Sequence, residues 1–293
     1  MKLTHNRAVA LMVVVALMWS TAGVVTRHLE SARSFEVTFW RAFFTTVSLL
    51  VILPLFRGRR VFAELKHANA ALWASGVCWS VMFTAYMLAL TLTSVANVLV
   101  TMSLGPLFTA LVARVFIGHR IALRTWVAIA AAGLGIAIMY GAQVSGEQML
   151  GTLVALCVPV AGATNWTVTQ HSHAKGRDVD LVPAVFVGAV ISAVVTLPLA
   201  YPFQATTHDL GLLVYLGLGQ LAIPCVLSVL CARVLQAPEM SLLALLEVIF
   251  GIALAWWGAG EAPGLTVLTG GSLVIGALLV NELLGWNQRR IAP

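Results

Sequence analysis

Glu247 is the only charged residue in the stretch SLLALLEVIFGIALAWWG, Ser241 to Gly258, and nothing else in that run can pair with it. A carboxylate in an apolar run of this kind either takes structural hydrogen bonds or serves coupling or substrate contact. Other chemistry-bearing side chains recur at helical spacing. Trp19, Gly23 and Thr26 share one helix face, and Trp79, Met82, Phe83 and Tyr86 share another. Asn97 and Thr101 stand one turn apart, as do Asn165 and Thr169 with Trp166 beside them, and Gln220, Pro224 and Ser228 follow the same spacing. Together these groups suit a cavity wall that binds a small solute with an apolar body and polar ends. Each also has a plainer role. An aromatic stripe also serves as helix or lipid contact, and Ser and Thr in membrane helices bond back to their own backbone. An amide in hydrocarbon costs several kcal/mol unless bonded, so Asn97, Asn165 and Gln220 must face protein or water; holding helices together is an equal alternative to solute contact.

Other chemistries find little support. The chain has no HExxH, no GxSxG, no pair of mid-span aspartates and no phosphate-binding loop of the ATPase type. Intramembrane hydrolysis and ATP-driven pumping are therefore not expected, nor is any cofactor. Cys78, Cys157, Cys225 and Cys231 all fall in apolar runs and read as small hydrophobes rather than a disulfide or metal site. His171, His173 and Asp178 lie in HSHAKGRDVD, read as a solvated loop, and no metal is expected there.

The elements that must position these residues are apolar helices. Of the 293 residues, 60% are hydrophobic and only 10% charged, against about 25% charged in soluble domains. Runs of roughly 20 apolar residues place ten spans at 8–28, 35–56, 70–92, 95–117, 123–142, 150–171, 181–201, 209–234, 238–257 and 264–285. The basic, apolar N-terminus has no small-residue cleavage site and reads as the first span. Of the Lys and Arg residues, fourteen fall at the side shared by both termini, and three (Arg27, Arg33 and Arg41) at the other. That bias puts both termini in the cytoplasm and accounts for the net charge of +6 without nucleic acid. No Lys or Arg is assigned to the centre of any span, which argues against phosphate-bearing solutes. Pro106 and Pro224 are expected to kink their helices. Ala131 with Gly135, and Ser272 with Gly276, are expected to pack helices closely, and Trp256, Trp257 and Trp286 to anchor span ends at the interface.

The chain also repeats itself. GPLFTALVARVFIGHR from Gly105 aligns with EVIFGIALAWWGAGEA from Glu247 at an offset of 142, and STAGVVTR aligns with ATNWTVTQ at 143. Two five-span halves, 1–147 and 148–293, follow from this, and an odd number of spans per half inverts the second copy in the membrane.

With Trp19-Ser20, Arg41, ANVLVTMSLGPLFTALV and LLALLEVIFGIALAWWGAGEAPG, the sequence resembles the drug/metabolite transporter superfamily, specifically its ten-helix EamA-type exporters, the aromatic amino-acid exporters above all. Such families show a proline in span 4 followed thirteen residues later by glutamate; here Pro106 is followed by His119, while the second copy keeps Glu261 and has Val248 for the proline. The resemblance implies a five-plus-five inverted repeat around a central cavity, alternating access, and a bacterial inner-membrane location. The function expected is a secondary transporter, not an enzyme, that exports small amphipathic metabolites, amino acids first and aromatic ones favoured. Another solute class, such as a drug, sugar phosphate or nucleotide-sugar, is the alternative. The expected partners are a small-molecule substrate and the lipid bilayer.

Overall fold

The computed structural model describes residues 3–32, 34–58, 70–117, 122–141, 146–174, 181–231, 234–235, 240 and 243–291. Among these the chain is all-helical. In order the helices are α1 (His5–Thr26), α2 (Ser34–Arg57), α3 (Ala70–Leu92), α4 (Val95–Met102), α5 (Gly105–Ile117), α6 (Leu123–Gly141), α7 (Gly146–Ala174), α8 (Leu181–Ala200), α9 (Thr207–Gly217), α10 (Ile223–Cys231), α11 (Leu246–Ala259) and α12 (Leu265–Ile291). Seven segments are long and apolar enough to cross a membrane: 5–26, 34–55, 70–92, 95–116, 183–200, 207–228 and 265–285. Shorter apolar helices, Leu123–Met139, Met149–Asn165 and Leu246–Ala259, lie where spans 5, 6 and 9 were expected.

Polarity is arranged inside out. Val47, Leu50 and Val51 of α2 and Val194, Val195 and Leu199 of α8 are exposed, while Glu36, Arg41, Thr45, Asn165 and Gln220 are buried. Only a hydrocarbon solvent makes that distribution favourable, and the chain is a multi-pass membrane protein. Cys225 and Cys231 are buried as expected of small hydrophobes, whereas Cys157 lies on the exposed apolar surface.

Three helices are interrupted, each for a local reason. Pro106 has no N–H for the Met102 carbonyl, so the helix stops at Met102, turns through Ser103 and Leu104, and restarts at Gly105. Pro224 deprives the Gln220 carbonyl in the same way, and Leu218–Ala222 forms a π turn between α9 and α10. The third break, at Leu245 just before α11, has no proline. It falls 142 residues after Ser103, the offset of the internal repeat.

Helix α3 lies along α7 and α8, α2 along α8 and α9, and α1 along α10 and α11; α4 meets α7 and α11, and α6 meets α12. At the last contact backbones nearly touch, since a Cβ on Gly135 would lie 2.6 Å from the Gly270 carbonyl oxygen. The expected partner pair, Ser272 with Gly276, is not used: Ser272 is exposed and Gly276 faces open space. Spacing alone could not say which small residues of this helix turn inward.

One end of the bundle is tied by buried carboxylates. Asp209 accepts from the backbone N–H groups of Glu30 (2.8 Å), Ser31 (3.0 Å), Ala32 (3.1 Å) and Thr206 (3.2 Å). Glu36 accepts from the N–H groups of Gln204 (2.9 Å) and Ala205 (2.8 Å). Arg27 pairs with Glu261 at 2.6 Å and donates to the carbonyls of Leu90 and Thr93, and Glu261 also accepts from the Val95 N–H. These bonds join the 27–36 and 201–209 connections, and the end of α1 to the α3–α4 corner and the α11–α12 turn.

Candidate functional site

Helix α2 begins at Ser34, and Arg41 follows seven residues later, about 10 Å along the axis. The sequence reading counted it only as a charge at one side of the membrane, at the start of span 2; it is a guanidinium buried in the bundle with 3% of its surface exposed. Its Nε and Nη2 donate to Gln220 Oε1 at 3.2 and 2.8 Å. The group also sits over two aromatic rings, Phe83 at 5.9 Å and Tyr86 at 5.5 Å, an arrangement that partly compensates its lost hydration. Gln220 projects from the π turn and donates through Nε2 to the Trp19 carbonyl at 3.1 Å. Such turns recur at functional positions because the extra residue re-aims side chains. Cys225 is buried within electrostatic reach of Arg41 and close to the Trp19 side chain.

Glu247 occupies the first turn of α11, directly after the break at Leu245. Its carboxylate lies within electrostatic reach of Arg41 and Tyr86 but forms no ion pair or hydrogen bond with any described residue. Structural hydrogen bonding, one of the two roles expected for it, finds no partner among the described residues. Its side chain is partly exposed. The buried Tyr86 hydroxyl, within electrostatic reach of it, has no hydrogen-bond partner among the described residues. The centre thus collects Trp19, Arg41, Phe83, Tyr86, Gln220, Cys225 and Glu247 from five of the expected spans.

Other sequence candidates lie elsewhere. The Thr26 hydroxyl bonds the Ala22 carbonyl of its own helix, and Ser228 bonds that of Cys225. Gly23 packs against the Val95 side chain. Asn97 donates to the Thr93 hydroxyl at the start of α4, and Thr101 is fully buried in the same helix. Asn165 accepts from Ser75 at 2.6 Å, joining α7 to α3. Met82 lies against Gly162 of α7, and Trp79 fills the α3–α8 contact beside Gly188, its ring tilted against that of Phe83 at 5.4 Å. Trp166 and Thr169 lie on α7, but their side chains are outside the described residues, as are His119 and Asp178. Residues His171 and His173 belong to α7, which runs to Ala174 rather than ending in a loop.

Two other features are set apart from this centre. A cavity of about 400 Å³, lined by Ser34, Phe35, Leu88, Leu92, Val154 and Leu199 among others, is apolar and shares none of the central residues. Glu30, His208 and Asp209 bring ligand-type atoms within 4.8 Å of one another, but both Asp209 oxygens are already occupied by backbone N–H groups.

A helical membrane protein with charge, amide and aromatic groups gathered at its centre has the make-up of a solute carrier, and known proteins agree. Residues 6–141 match the EamA-like transporter family. Two relatives extend the likeness, both called S-adenosylmethionine uptake transporter. The one from Rickettsia conorii is 24% identical over 87% of this chain and 85% of its own, and that from Rickettsia bellii 24% over 89% and 88%. A protein of known crystal structure superposes with a TM-score of 0.61 at 20% identity, over 96% of this chain and 99% of that one, and so shares the fold. These likenesses are to membrane transporters of small molecules.

Proposed function

We propose that this chain is a secondary carrier of small amphipathic metabolites with an amino-acid end, working by alternating access in a bacterial inner membrane with both termini cytoplasmic. The observation that carries this reading is the central cluster, in which Arg41 sits over the rings of Phe83 and Tyr86, bonded to Gln220, with Glu247 within electrostatic reach. A buried cation removes the sequence argument against anionic solutes. Glu247 restores it in another form, because a phosphate dianion bound at Arg41 would also meet the carboxylate.

The ten-span, two-half organisation is part of the proposal. Exchanging each expected span for the one five places along carries contact 3–6 into 8–1, contact 3–7 into 8–2 and contact 4–6 into 9–1, all of which occur. Contacts 2–7, 4–9 and 5–10 map onto themselves. The breaks at Ser103 and Leu245 fall in spans 4 and 9, also related by the exchange. Discontinuous helices at equivalent places are where carriers of this design hold their solutes.

Two solutes lead. Aromatic amino acids suit the rings around Arg41, and S-adenosylmethionine is favoured by the names of the two relatives. Reconstituted protein should show saturable uptake and counterflow of labelled tryptophan or S-adenosylmethionine, with the direction set by the gradient. Saturable flux of a sugar phosphate, with neither of these moving, would sink the proposal.

A further inference from the structure

We propose that Arg41 and Glu247 are opposite poles of a site for a dipolar solute, with the Tyr86 hydroxyl as a third contact beside them. The assignment rests on the carrier reading above and adds to it which atoms discriminate. Arg41 spends Nε and Nη2 on Gln220 Oε1, while Nη1 has no hydrogen bond among the described residues. Its fork is therefore held in place by an amide with one donor nitrogen left over. A solute carboxylate is the acceptor that matches a guanidinium edge best.

Glu247 supplies the complementary half. A buried carboxylate ordinarily has a paired cation or several N–H donors, as Asp209 and Glu36 have in this same chain. Here it has neither, though Arg41 is near enough to act on it across the interior. A solute ammonium fills that gap. An α-amino acid carries both charges on one carbon, so it offers each pole the opposite charge, and its side chain is left to Trp19 and the rings of Phe83 and Tyr86. Tyr86 supports the position independently: its buried hydroxyl has no hydrogen-bond partner among the described residues and can donate to the carboxylate or accept from the ammonium.

The test uses full-length protein in liposomes and in detergent. Tryptophan is compared with tryptamine, which lacks the carboxylate, and with indole-3-propionate, which lacks the ammonium. S-adenosylmethionine is compared with its decarboxylated form. Each is scored by competition in counterflow and by the rise it causes in thermal midpoint. Removal of either charge is expected to weaken the compound about tenfold or more, as loss of one charge-assisted hydrogen bond does. In Glu247→Gln the preference for tryptophan over indole-3-propionate should vanish while its preference over tryptamine persists; Arg41→Gln should do the reverse. A purely structural role for either residue would lower both preferences or neither. Should Arg41→Gln fail to fold, the wild-type series and Glu247→Gln still decide. Equal binding of the truncated compounds, with saturable flux of tryptophan or S-adenosylmethionine, overturns the poles and leaves the carrier reading standing; saturable flux of another solute with no effect of either zwitterion overturns both. Stabilisation by zwitterions with no saturable flux of anything keeps the poles and overturns the carrier.

Discussion

The Arg27 end of the bundle and its centre both hold charge away from water, and they treat it in opposite ways. At the end, Asp209 takes four backbone N–H groups, Glu36 takes those of Gln204 and Ala205, and Arg27 and Glu261 divide their bonds between each other and the backbone. At the centre, neither Glu247 nor the Tyr86 hydroxyl has a bonded partner among the described residues. A buried polar group left unmade costs about 1–3 kcal/mol. An end that is fully bonded lowers the energy of one conformation, whereas an unbonded centre keeps capacity for something that enters. The contrast separates charges that hold the fold from charges that meet a solute.

Substitutions can break that contrast, and the largest effect belongs at the end. Asp209→Ala would strand four N–H donors at once, at roughly 1–3 kcal/mol for each one that stays buried. The thermal midpoint should fall by roughly ten degrees or more, and a fall of only a degree or two would mean the end is not a structural tie. Glu247→Gln should behave in the opposite sense, with flux down about tenfold and the midpoint nearly unmoved; unfolding of this variant would collapse the distinction. Gly135→Ala tests packing without charge. Its new methyl would press on the Gly270 carbonyl, for a cost of about 1–3 kcal/mol read as a lower midpoint. Arg27→Lys keeps the charge but loses the fork that reaches Glu261, Leu90 and Thr93 together. Its partial exposure limits the loss to about 1 kcal/mol. Smallest of all, Ser228→Ala should leave flux and stability alike, within about 0.5 kcal/mol, because that hydroxyl bonds only its own helix.

Apolar runs were legible in the sequence because hydrocarbon rewards them at every position of a spanning helix. Proline breaks at Met102 and before Ile223 were legible for the same local reason, a missing N–H. The break at Leu245 was not, since no residue there announces it; only the repeat pointed to its place. Periodicity likewise grouped Trp19 with Thr26 and Gln220 with Ser228. It could not show that the hydroxyls turn back on their own carbonyls while the indole and the amide face inward. Arg41 was missed for a different reason. Counted as a topological charge, it still stands within the apolar FWRAFF of α2, about 10 Å past the helix start, and that depth was the available signal.

The π turn at Leu218–Ala222 also sets a phase. It carries one residue more than α-helical geometry needs, and each residue of an α-helix turns the chain by about 100°. Regular α winding of the same residues would rotate everything beyond them, Cys225 included, away from the face that meets Trp19 and Arg41. Span 8 is thus two helical faces joined out of step, and the mismatch is what lets one helix present Gln220 to the centre and still seat Cys231 against the Ala8 carbonyl at its far end.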